Sequence, residues 1–300
     1  MKKILIIVLV SVATIFAQSA GNSGVSFLKN GFGARNIAMS DLGVVGVSDL
    51  TALNYNPALL ADYQNPQIML THIQSIQDMS TQLVGASFSL FGLPFAVGVN
   101  NTAIDNIEVR TVASETPQST FNAHYMFGSI STGFNVFNNL AFGVTTKYVY
   151  ENLLSNEAGG FAFDFGLSYK NIIDGLDIGA SLKNIGSLSE LRSEATILPK
   201  DLRIGAAYSM SIHSVKSLVN VIGGVQKYLD ADDTHIHAGA EVFYDNLIAI
   251  RLGYMTGYDS KGLTAGLGIN WEGINFDYAF APYSFGLGSA HTISLMYSFK

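Results

Sequence analysis

From residue 67 to the C-terminus the chain alternates between large apolar and small or polar side chains. Leu202, Ile204, Ala206 and Tyr208 alternate with Arg203, Gly205 and Ala207, and Phe161, Phe163, Phe165 and Leu167 with Ala162, Asp164 and Gly166. Ile248, Ile250, Leu252 and Tyr254 alternate in the same way with Ala249, Arg251 and Gly253. A period of two places each set on one face of an extended strand. This stretch therefore predicts an antiparallel sheet with one large apolar face. Two architectures satisfy the pattern: a soluble sandwich hides that face, whereas a membrane barrel turns it toward lipid and lines its lumen with the other.

The connections separate these two. About fourteen strands can be read between 67 and 299, an even number, and of the length a tilted strand needs to cross a bilayer. Tight turns at Phe91-Gly92-Leu93-Pro94, Asn135 to Asn139, Tyr244-Asp245-Asn246 and Glu272-Gly273 alternate with longer joins at 111–120, 152–159, 186–200, 256–261 and 282–290. Short turns at one rim and long loops at the other are expected of an outer-membrane barrel, and a sandwich has no reason to keep that parity. Charged residues make up only 13% of the chain and apolar ones 48%, which suits a surface that meets lipid. A net charge of −7 argues against nucleic acid as a partner. The absence of cysteine excludes disulfides, thiol catalysis and Cys-ligated metal centres.

The ends of the chain agree. Lys2 and Lys3, the apolar run Ile4 to Phe16 and the small-residue exit Ala17-Gln18-Ser19-Ala20 have the form of a Sec signal peptide, with cleavage after 17, 19 or 20. At the other end Ile293, Leu295, Tyr297 and Phe299 share one face of the last strand. Tyr297 and Phe299 resemble the terminal aromatic signal read by the barrel-insertion machinery. Tyr148, Tyr150, Tyr169, Tyr228, Tyr244 and Trp271, near strand ends, suit interfacial aromatic girdles. The expected organisation is a signal peptide over 1–20, an N-terminal segment over 21–66 and an outer-membrane barrel over 67–300.

The segment before the first strand shows no alternation. A lumen enclosed by fourteen strands is too wide for strand side chains to fill, so this segment is predicted to form a mostly helical and coil hatch inside it. A short helix is expected over Ala34 to Leu42. Asn56 is expected to cap a second turn, with Pro57 at its first position and Ala58 to Ala61 continuing it. Arg35, placed in a lumen, needs a carboxylate, because an unpaired buried charge costs several kcal/mol. Asp41 and Asp49 within the hatch, or Asp164 and Glu241 on the wall, are the candidates.

Phe27-Leu28-Lys29, Gly33-Ala34-Arg35, Ala38-Met39, Asp49 and the run Ala52-Leu53-Asn54-Tyr55-Asn56-Pro57-Ala58 resemble the N-terminal signature of the PorV/PorQ family. That family is itself similar to the FadL-type long-chain fatty-acid transporters. Ser40 and Leu59-Leu60 depart from the usual signature. The resemblance implies a fourteen-stranded outer-membrane barrel with an N-terminal hatch. PorV-like members carry secreted cargo away from the type IX translocon, and FadL-like members pass hydrophobic molecules through the hatch and out through the wall. The leading expectation is thus a non-enzymatic barrel for protein secretion or surface attachment, with membrane lipid, the insertion machinery, a translocon and its cargo as partners. The alternative is an uptake channel for hydrophobic small molecules such as fatty acids or hydrocarbons. A third is a porin-like surface protein.

Little in the sequence points to chemistry. His235 and His237 share a strand face with Glu241 and are the candidate metal ligands, against a plain reading as lumen-facing side chains. No nucleophile elbow, P-loop or dinucleotide fingerprint occurs, so no cofactor and no enzymatic activity are expected.

Overall fold

The computed structural model describes residues 24–299 except 48, 64, 192, 193 and 232. The expected signal peptide over 1–20 lies outside these residues. Fourteen antiparallel strands close a barrel. They are β1 (Gln67–Gln74), β2 (Met79–Leu90), β3 (Leu93–Val109), β4 (Ser119–Phe137), β5 (Leu140–Leu153), β6 (Asn156–Ile173) and β7 (Leu176–Leu188), followed by β8 (Asp201–Ile212), β9 (Ser217–Tyr228), β10 (Asp233–Tyr244), β11 (Ile248–Thr256), β12 (Leu263–Trp271), β13 (Ile274–Tyr283) and β14 (Gly288–Ser298). The seam joins β1 to β14, from Gln67 opposite Ser298 to Gln74 opposite His291.

The alternation resolves as a barrel does, large side chains outward. Ile204 is 57% exposed while its neighbour Arg203 is 1% exposed, and the same holds for Phe163 against Asp164 and for Leu252 against Arg251. A continuous apolar outer surface over a polar interior is the reverse of a soluble sandwich and suits contact with acyl chains. Among the described residues no helix is long and apolar enough to cross a membrane.

Two sequence expectations about the wall need correction. The long join over 152–159 is a tight turn at Leu154 and Ser155, because Asn152 pairs with Glu157 and Leu153 with Asn156, extending both strands. With β3, β4 and β6 at 17, 19 and 18 residues against 8 for β1, the wall stands tallest along this side. Tyr228 does not join a girdle. It pairs in register with Asp201 on the inward face and is 5% exposed.

The hatch threads the lumen from rim to rim. Near the long-loop rim the Gly24 amide donates to the Ile197 carbonyl (3.0 Å). At the other rim Lys170 pairs with Asp62 (2.5 Å) and the Phe299 amide donates to the Pro66 carbonyl (2.9 Å). Between them lie a 3-10 turn (Ser26–Lys29), helix α1 (Ala34–Ala38), helix α2 (Ala52–Tyr55) and a second 3-10 turn (Pro57–Asp62). Helix α1 stops four residues short of the predicted Leu42, because Ser40 and Asp41 both adopt positive φ (68° and 61°). Helix α2 carries no periodic signal and was not expected.

Candidate functional site

The hatch sits against a belt of glycines. Each strand from β2 to β12 sets a glycine against the hatch: Gly85, Gly98, Gly133, Gly143, Gly166, Gly179, Gly205, Gly224, Gly239, Gly253 and Gly266. Several are direct register partners, as Gly133, Gly143 and Gly166 are across three strands and Gly179, Gly205 and Gly224 across three more. Their bare backbone admits the hatch backbone itself. A Cβ built on Gly143 would fall 2.3 Å from the Ala58 nitrogen, on Gly179 2.3 Å from the Val44 oxygen, and on Gly253 2.2 Å from the Ser40 nitrogen. In sequence each glycine is one small residue among many on the inward face, so the belt emerges only when the strands are aligned.

Buried charges then hold the hatch at two places. Arg35, on α1, forks onto Glu241 of β10 through Nε (3.0 Å) and Nη2 (2.9 Å), and donates from Nη1 to the Gly46 carbonyl (2.9 Å). Of the four carboxylates that the sequence offers Arg35, Glu241 is the partner. Glu241 also accepts from Arg251 (2.5 Å) and Asn220 (2.8 Å), and Arg251 continues to Asp277 (2.6 Å). The other candidates are engaged elsewhere. Asp164 pairs with Lys147 (2.5 Å), Asp49 accepts the amide (2.9 Å) and hydroxyl of Thr51, and Asp41 accepts the Tyr55 hydroxyl.

The opposite anchor was not foreseen. Arg203 of β8 donates to the Asp41 carbonyl (2.6 Å) and the Leu42 carbonyl (3.0 Å), and is held by Asp201 (2.9 Å). The Tyr55 ring lies against the cations of Arg203 (5.4 Å) and Lys183 (5.7 Å), while its oxygen accepts the Phe32 amide (2.9 Å). Burial and the Asp41 carboxylate push the Tyr55 phenol well above its ordinary range, so it acts as a neutral donor. Its sequence signal was weak: Arg203 appears only as one charge on an inward face.

The remaining motif residues are structural parts of this plug. Phe27 stacks on Tyr125 (5.4 Å) and Phe127 (6.2 Å). Gly33 precedes α1 at φ 102°, where the Thr51 side chain leaves no room for a Cβ. The Ala34 amide donates to Ser294 Oγ (2.9 Å), and buried Met39 lays its backbone on Gly239 and Gly253. Asn56 does three jobs: its Oδ1 accepts the Ala58 amide (3.1 Å), and its Nδ2 donates to the Val44 (2.8 Å) and Leu167 (2.9 Å) carbonyls. Pro57 opens the turn as predicted. Asn54 is buried, and its side-chain amide has no hydrogen bond among the described residues.

His235 and His237 both face the lumen. His237 Nδ1 meets the Ser40 carbonyl (2.5 Å), and the His235 ring stacks on Tyr258 (3.7 Å, 5° between planes). Among the described residues no three metal-ligating side chains converge, so the geometry brings these histidines to aromatic and backbone partners. Tyr297 and Phe299 lie outward with rings 4.9 Å apart in an edge-to-face contact.

Between the hatch and the wall, near the long-loop rim, lies a cavity of about 60 Å³. Ile37 of the hatch and Ile73, Met79, Met255, Leu263, Pro282 and Ala290 of the wall make it mainly apolar, with Lys29, Asp41, Tyr258 and Lys261 at its edge. A protein cavity that takes up benzene measures roughly 150 Å³. In this arrangement the cavity is too small for such a guest unless the hatch shifts. Lower on the wall, Gly85 and Gly98 leave β2 and β3 without side chains between the hatch leucines Leu50 and Leu53 and the outside. There the outer surface dips into an apolar groove of about 430 Å³ lined by Ile68, Leu70, Val84, Val97, Val99 and Leu295.

By sequence, no protein-family model and no curated protein matches the chain. Solved structures do match it in shape. The toluene transporter TodX of Pseudomonas putida superposes with a TM-score of 0.63 at 13% identity, over 90% of this chain and 99% of that one. The toluene transporter TbuX of Ralstonia pickettii gives 0.60 at 14% identity, over 90% and 99%. The monoaromatic hydrocarbon channel CymD gives 0.60 at 14% identity, over 90% and 98%. The chain shares their fold. At such identities the likeness speaks for the architecture alone, a closed fourteen-stranded barrel.

Proposed function

We propose that this protein is an outer-membrane channel for the uptake of hydrophobic small molecules. The observation that carries the reading is the apolar cavity between hatch and wall, followed by the stretch of wall at Gly85 and Gly98 where only backbone separates the hatch from an apolar outer groove. On this reading a solute enters the cavity beside the hatch, and a shift of the hatch passes it to the groove and so to the acyl chains. Structural neighbours that carry toluene and monoaromatic hydrocarbons support the same reading. The secretion reading rests on the hatch signature. Phe27, Ala34, Met39, Asp49, Asn54, Asn56, Pro57 and Ala58 are all buried in the plug, where they offer no surface to cargo.

The test is uptake of labelled toluene and of a labelled long-chain fatty acid by cells lacking their own hydrophobic-solute channels. Expression of the protein is expected to raise uptake of at least one of them. Met255→Trp, which fills the cavity, is expected to abolish the gain while the barrel stays heat-modifiable on gels. Uptake unchanged by expression would sink the reading and return secretion to first place.

A further inference from the structure

Tyr258, on the loop between β11 and β12, fills a slot beside the apolar cavity much as a bound molecule would. Its ring lies flat on buried His235 (3.7 Å between centroids, 5° between planes), and the His237 ring stands edge-on to it (6.1 Å, 85°). Tyr228 meets the His235 ring at 5.6 Å and 70°. At the end of the slot the Tyr258 hydroxyl donates to Gln226 Oε1 (3.0 Å). Gln226 is 1% exposed and turns Nε2 to Asp201 (2.9 Å) and Tyr228 (3.0 Å), so its Oε1 is left to take a donor from the slot. The slot itself is built on β9 and β10. The ring that fills it comes from a loop bracketed by Gly257, at φ 86°, and Gly262.

Two features set the chemistry of what fits. A face that takes its partner parallel at 3.7 Å suits a planar ring, and an aliphatic chain reproduces neither the stacking nor the edge contact. A buried carbonyl that loses its donor bears the full cost of its own desolvation, so a guest that evicts Tyr258 has to bring an O–H with it. Tyr258 is itself a para-substituted phenol. We propose that this slot binds a hydroxylated aromatic ring, a phenol, and that Tyr258 is the displaceable lid that fills it in the guest's absence. Moving a ring away from the edge of the 60 Å³ cavity also supplies room that the cavity lacks for a guest of benzene's size. This assignment rests on the uptake reading and narrows it, because Gln226 Oε1 favours a phenol over a plain hydrocarbon.

The test uses para-fluorophenol and fluorobenzene, which differ by the hydroxyl alone. The full chain is held in lipid nanodiscs, and fluorine NMR line width reads binding. Saturation separates a site from partition into lipid. Para-fluorophenol is expected to bind about tenfold or more tightly than fluorobenzene. Tyr258→Ala removes the competing ring and should tighten para-fluorophenol by about a further tenfold. Tyr258→Phe keeps the ring but frees Gln226, and should tighten it less. Gln226→Met should bring the two probes to equal affinity. Equal affinities in the unaltered chain, or para-fluorophenol affinity unmoved by both Tyr258 substitutions, would overturn the site. The channel reading would then still stand on toluene or fatty-acid uptake by expressing cells. No gain in uptake beside saturable, Tyr258-dependent binding would overturn the channel reading and leave the site in place. Should Gln226→Met fail to fold, as loss of heat-modifiability reports, the two Tyr258 variants decide, since that half-buried side chain belongs to a loop and not to the wall.

Discussion

Glu241→Gln is expected to loosen the hatch more than Arg35→Met does, although the two substitutions cut the same ion pair. Removing the Arg35 guanidinium leaves Glu241 with Arg251 at 2.5 Å and Asn220 at 2.8 Å, so the carboxylate stays compensated. The loss is that of charge-assisted hydrogen bonds, about 1.5–3 kcal/mol. Removing the Glu241 charge leaves Arg251 with Asp277 at 2.6 Å, but leaves Arg35 with the Gly46 carbonyl at 2.9 Å and a neutral amide oxygen in place of its carboxylate. A buried cation without its counter-ion costs about 3–5 kcal/mol. At about 1.4 kcal/mol per factor of ten, amide exchange over α1 should accelerate by roughly a hundredfold to several thousandfold in Glu241→Gln. In Arg35→Met the acceleration should be roughly tenfold to a hundredfold. Hydrogen exchange on the detergent-solubilised protein, read segment by segment, measures both. Equal or reversed effects, or exchange in α1 unaltered by either change, would refute the account of the pair as the hatch's anchor.

Two further substitutions probe the seat of the hatch. Gly143→Leu drives a side chain into the backbone of Pro57 and Ala58 and should raise permeability to small polar antibiotics in a barrel that still resists heat. Gly128→Leu, on the same sheet but with nothing within 4 Å of its Cβ position, should leave permeability unchanged. Asn56→Ala forfeits the cap of the second 3-10 turn and two carbonyl contacts and should destabilise the hatch by about 2–3 kcal/mol, measured as faster proteolysis of the 24–66 segment.

Alternation carried most of the fold. Because a strand offers only two faces, the sequence around Ile204, Phe163 or Leu252 already states which side chains leave the lumen, and the parity of the turns states that the sheet closes. Alternation says nothing about height, however. It cannot tell a loop from two strands that keep climbing, which is why the join at 152–159 was misread. It does contain the orientation of Tyr228, which shares parity with Gln226, but the aromatic character of the residue outweighed its phase. The site was legible in part. Arg35 announces itself as a cation needing a partner, and Asn56-Pro57 as a capped turn. The choice of Glu241 among four carboxylates, the grip of Arg203 on the Asp41 and Leu42 carbonyls and the glycine belt depend on which strands become neighbours and at what register. The Arg35–Glu241 pair alone joins residues 206 positions apart, and no local pattern encodes such relations.

The seam between β1 and β14 sets an order on assembly. A closed sheet has no edge to lend, and the ladder from Gln67–Ser298 to Gln74–His291 can form only after the last strand has been made. The hatch is joined directly to β1 and meets bare backbone on eleven of the fourteen strands, with gaps too narrow to thread once the circumference is fixed. The plug is therefore best laid against an open, curling sheet and enclosed as the first and last strands meet. On that view the belt of glycines serves biogenesis as much as the finished barrel: it is the mould in which the sheet finds its curvature, and closure of the seam is the step that makes the plug captive.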